Sequence, residues 1–146
     1  MARYRKISTR IWNDEKFINL SDDGKFLFLF ILTHPHMTSL GAMRATPEGL
    51  ASELKWSSER LSKAFREAIT KGMVKSNNGA CCIFLPNFLK HNQPESPNVI
   101  KSWRNALDDI PECSLKDEAI QQAKNVSSKM SKAFQEAFES LPEAFR

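Results

Sequence analysis

Two helix starts lie eleven residues apart in this chain, at Thr46 and at Ser57, and that spacing constrains the fold more than any other feature. Thr46-Pro47-Glu48 combines a capping hydroxyl, a proline at the first helical position and an acid in the first turn. Ser57 is a second cap, with Trp56 before it and Leu61 after it at the spacing of a hydrophobic staple. Leu50, Ala51 and Leu54 give the first helix one apolar face, so it must end and the next begin across a tight turn. From Ser57 to Lys71 the apolar positions Leu61, Ala64, Phe65, Ala68 and Ile69 recur at helical spacing. Glu59, Ser62, Lys63, Arg66 and Thr70 fall on the other side, and Gly72 supplies the stop.

The flanking segments fix the order of elements. Ser21-Asp22-Asp23-Gly24 opens a helix whose run from Lys25 to Thr33 is apolar on every side, which predicts a place at the centre of the fold. His34-Pro35 ends it, and Leu40–Arg44 reads as a short strand. Met73–Ser76 and Ala80–Leu85 read as strands around Asn77-Asn78-Gly79, whose Asn-Gly pair predicts positive φ and a tight hairpin. The expected fold class is therefore mainly α with a small β-hairpin: a winged helix-turn-helix over residues 21–85, followed by C-terminal helices. Residues 1–20 form a basic N-terminal arm, and residues 86–113 a proline-containing connector with a short helix from Val99 to Leu107. Residues 114–146 carry one long amphipathic helix, from Ser114 to about Leu141. On its apolar stripe, Val126, Met130, Phe134 and Phe138 face either the core or a partner, a second copy of the chain included.

Charge separates along the chain. Five basic residues stand against two acids in residues 1–20 and seven against four in 44–75, whereas residues 105–146 hold five against eight. A polyanion-binding face and a tail with another task follow from that division. The apolar run Phe26–Leu32 is too short to cross a bilayer and the basic start is not followed by an apolar region, so neither a membrane span nor a signal peptide is expected. Cys81, Cys82 and Cys113 are odd in number and suit a reducing, cytoplasmic setting. No cofactor or metal is expected, since no Cys/His cluster has ligand spacing and His34, His36 and His91 lack a nearby acid. Gly24 and Gly41 are isolated, and neither G-x-S-x-G nor H-E-x-x-H occurs, so the chain reads as a non-enzyme. Trp12, Trp56 and Trp103 read as core anchors.

In this order of elements the helix Ser57–Lys71 is the one that would enter the major groove of double-stranded DNA. Lys63 and Arg66 are its candidate base or phosphate contacts, with Ser58, Ser62 and Thr70 as hydroxyl partners. Lys75, Asn77 and Asn78 lie on the wing, where a phosphate or the minor groove would sit. Arg3, Arg5 and Lys6, with Arg10, add phosphate contacts from the arm.

Several strings beyond the helices are worded like a known group. Tyr4-Arg-Lys-Ile7, Ile11-Trp-Asn-Asp-Glu-Lys-Phe17, Leu20-Ser-Asp-Asp-Gly-Lys25, Leu32-Thr-His-Pro-His36, Leu85-Pro-Asn-Phe-Leu-Lys-His-Asn92 and Pro94-Glu-Ser-Pro-Asn98 cover about the first two-thirds of the chain. In these the sequence resembles phage and prophage replication proteins with an N-terminal winged helix, in the style of replisome organisers and primosomal helicase loaders. The resemblance implies a replication accessory factor in the bacterial host cytoplasm that binds origin or fork DNA and meets a replicative helicase or another replication protein. The same surface would serve a transcriptional regulator, and a protein-binding adaptor without a DNA role is the reading from another class.

Overall fold

The structure is a computed structural model that describes residues 3–146. Ser21 caps α2 (Asp22–Leu32) by accepting a hydrogen bond from the Gly24 amide at 3.1 Å, after a one-turn α1 (Glu15–Ile18). Leu27, Ile31 and Leu32 of α2 are buried, but Phe26 is 55% exposed. The expectation of a helix buried all round is thereby corrected: one side of α2 faces outward, where Phe26 meets Trp56 with ring centroids 5.8 Å apart.

Strand β1 (Ala42–Arg44) follows Gly41, whose φ of +83° and close approach to Phe88 exclude a side chain; an added Cβ would lie 2.5 Å from the Phe88 Cβ. Thr46 then caps α3 (Pro47–Leu54) by accepting from the Gly49 amide at 3.1 Å. Lys55 ends the helix in the left-handed region, and Ser57 caps α4 (Ser58–Thr70) by accepting from the Arg60 amide at 3.2 Å. The tight turn expected between the two helices is the segment 55–57. Leu61, Ala64, Phe65 and Ala68 point inward from α4, while Ile69, at the edge of that stripe, is left 41% exposed.

β2 (Lys75–Asn77) and β3 (Cys82–Phe84) complete a three-stranded antiparallel sheet in the order β1-β3-β2, with Arg44 and Asn77 both opposite Cys82. Here the turn differs from expectation. Positive φ falls on Cys81 (58°) and not on the Asn78-Gly79 pair, because the Asn77 side chain accepts from the Ala80 amide at 3.0 Å and closes the turn itself.

After a single turn, α5 (Phe88–His91), come α6 (Pro97–Asp109), α7 (Ser114–Ser127) and α8 (Lys132–Glu139). The one long C-terminal helix of the sequence reading is thus two. Ser127 and Ser128 donate back to the carbonyls of Lys124 and Asn125, and Gln135 donates to the carbonyls of Ser128 and Met130, so the break has its own partners. Helix α7 packs against all three strands and α8 against α6. One core cluster runs from Leu27 through Ile83 and Trp103 to Phe145, joining the segments read as domain, connector and tail. A smaller cluster of Phe17, Leu20 and Met73 seats the end of the N-terminal arm against the α4 terminus. Trp103 is a core anchor, but Trp12 is 61% exposed and lies edge-on to Phe17, which corrects the expectation for that tryptophan.

Glu67 on α4 accepts from the Ser21 amide at 2.9 Å and from its hydroxyl at 2.6 Å, tying α4 to the cap of α2. Those hydrogen bonds, the hydroxyl's first, hold the Glu67 carboxyl below its ordinary value. A depressed carboxyl contributes stability that is present above its unfolded value and lost as pH falls through the folded one. Thermal melts between pH 7 and pH 3 are expected to show a smaller acid-side loss for Glu67→Gln than for the parent; parallel curves would dismiss this link.

Candidate nucleic-acid interface

The amphipathic spacing of α4 leaves a polar stripe facing away from the core. Ser58, Ser62, Lys63, Arg66 and Thr70 are all exposed, and the last three follow one another at i, i+3 and i+7 along the helix. Among the described residues, neither the Lys63 nor the Arg66 side chain makes an ion pair or a hydrogen bond. Glu67, the acid that would dilute them, is turned to Ser21; Glu59 stays exposed on the same side.

Arg60, one turn before Lys63, is a different case. Its guanidinium donates to both oxygens of Asp23 at 2.8 and 2.9 Å and lies 4.2 Å above the Trp56 ring. Hydrogen bonding to Arg60 holds the Asp23 carboxyl below its ordinary range. This clamp joins α4 to α2 and removes Arg60 from the free charge of the face. The arginine was visible in the sequence, but its pairing across 37 residues had no local signal.

The hairpin residues have internal partners. Lys75 Nζ lies 2.7 Å from Glu118 of α7, Asn77 holds the Ala80 amide, and Asn78 accepts from the Ser76 hydroxyl at 2.6 Å. The arm is not free either. Arg3 donates to the Pro35 carbonyl, and Arg5 to that of Met37 at 2.6 Å while lying over the Phe88 ring; Lys6 pairs with Glu95 at 2.5 Å. The arm is thus folded against the body, while the exposed face of α4 keeps two unpaired cations. Val126, Met130, Phe134 and Phe138 are half-buried and packed against the main core.

The sequence showed no acid beside His34, yet the fold brings one from α3. His34 Nδ1 accepts from the His36 amide at 3.1 Å, so Nε2 carries the proton and donates to Glu53 at 2.9 Å. Both ring nitrogens are thus engaged. Burial, with hydrogen bonding to Cys113, pushes the Cys82 thiol up to about 12, which keeps it a neutral core group. Among the described residues, no three His, Cys, Asp or Glu side chains are grouped to hold a metal ion, and no helix is long and apolar enough to cross a membrane.

Compared with protein-family models, with curated proteins and with solved structures, the chain matches none.

Proposed function

We propose that this protein binds double-stranded DNA as a winged helix-turn-helix, with α4 in the major groove and without catalysis. One observation carries the reading: the outward face of a helix held on a tight helix-turn-helix connection displays Lys63 and Arg66 unpaired among hydroxyls. A duplex supplies the phosphates and guanine edges that such groups bind, and a major groove has the width of one helix. Lys75 and the wing asparagines are secondary contacts, since each must first give up or share an internal partner. The resemblance to phage replication proteins makes the biological setting replication initiation or primosome assembly, with a replicative helicase as protein partner in the host cytoplasm; gene neighbours would separate this from transcriptional regulation.

The test is fluorescence anisotropy of the full chain on a labelled duplex over a series of salt concentrations. Each neutralised phosphate adds about 0.9 to the downward slope of log affinity against log salt, so two contacts give a slope of about −1.8. Affinity that is absent at low salt, or indifferent to salt, would leave the adaptor reading in its place.

A further inference from the structure

Away from α4, the loop 35–39, the end of β1 and the outer face of α6 enclose a cleft of about 540 Å³. Three arginines line it, Arg3, Arg5 and Arg44, and Asp109 is its single acid. None of the three guanidiniums forms an ion pair among the described residues. Arg3 and Arg5 each use one N–H on a backbone carbonyl, of Pro35 and Met37, which fixes them at the mouth of the cleft and leaves most of their donors unused. The Nε of Arg5 is buried with no acceptor at all. Burial first, and then the nearby charge of Arg3, lower the Arg5 pKa.

We propose that this cleft binds the dianionic phosphate of a nucleotide, either free or at the 5′ end of a DNA strand. Three guanidiniums against one carboxylate leave an excess of two positive charges, which a dianion neutralises and a single carboxylate does not. The planar fork of arginine matches phosphate oxygens two at a time. The volume exceeds that of a phosphate group, and Ser39 and Asn105 in the walls offer polar atoms to whatever carries it. No residue of α3 or α4 lines the cleft, so the inference does not rest on the duplex-binding face.

Titration calorimetry of the full chain tests it, with pyrophosphate, thymidine 5′-monophosphate and a short oligothymidylate with and without a 5′-phosphate. The phosphorylated ligands are expected to bind, and the unphosphorylated strand to bind at least about tenfold more weakly. Arg44→Ala, at an exposed position, should weaken binding about tenfold, equivalent to about 1.4 kcal/mol. Asp109→Asn should tighten it. A mononucleotide that binds as well as the phosphorylated strand assigns the site to free nucleotide, and a stronger strand assigns it to strand ends. Lys63→Glu with Arg66→Glu should leave these affinities unchanged, which separates this site from the duplex face. Failure of every phosphorylated ligand to bind at millimolar concentration, or equal binding by the parent and a folded Arg44→Ala, would overturn the proposal.

Discussion

The double substitution Lys63→Glu and Arg66→Glu is expected to weaken duplex binding by about two orders of magnitude or more at fixed salt. A hydrogen bond to a charged group contributes about 1.5–3 kcal/mol, so losing two corresponds to at least a hundredfold. The new carboxylates add repulsion from the phosphates and should flatten the salt dependence. The fold should survive, because both side chains are exposed and unpaired, and surface changes of this kind usually move stability by less than about 0.5 kcal/mol. The favourable fields of Lys63 at Asp23 and at Glu67 are lost with it. If Arg66 reads a base, Arg66→Ala alone should cost about 1–3 kcal/mol on a preferred site and little on random DNA. Lys75→Ala should do less than either, since Glu118 already holds that lysine. Anisotropy with the folded variant decides the matter, and unchanged affinity would remove α4 from any DNA contact.

Why α4 was legible in the sequence and the arm was not is a matter of contact distance. Thr46, Ser57 and Gly72 act on amides within a few residues, so caps, turn and helix faces follow from local chemistry. The partners of Arg3 and Arg5 lie 32 residues away and that of Lys6 about 90, and no spacing rule reports them. Arg44 escaped notice for the same reason: its cleft is assembled from the arm, a loop and α6. The break in the C-terminal helix was hidden differently. A heptad-like stripe continues through Ser127–Ser131, but a run of serines with their own backbone bonds competes with helix, and periodicity does not register that competition. Phe26 shows the reverse error, in which an all-apolar helix was read as all buried although, among the described residues, that side chain is left 55% exposed.

The C-terminal helices share one core with the rest of the chain and are expected to unfold with it, and Trp103→Ala should show this with the largest stability loss of any change considered. Trp103 is fully buried on α6, stacked on Phe145 at 6.2 Å and edge-on to Phe138 at 6.3 Å, and those two rings meet each other at 5.6 Å. Removing the indole empties the junction of α6, α8 and the final turn Glu143–Phe145. Large-to-small changes of this size cost about 3–5 kcal/mol, a sizeable part of the roughly 5–15 kcal/mol that holds a typical domain folded. Trp103→Phe should cost much less, because it keeps an aromatic ring in the cluster and deletes the Nε1 donor, which is buried without an acceptor. Urea unfolding followed by circular dichroism is the measurement. A single transition shifted to much lower urea for Trp103→Ala, and only slightly for Trp103→Phe, is the expected result. An unshifted midpoint would mean that α8 does not rest on α6, and two separate transitions would make residues 97–146 a unit that melts independently of the sheet it covers.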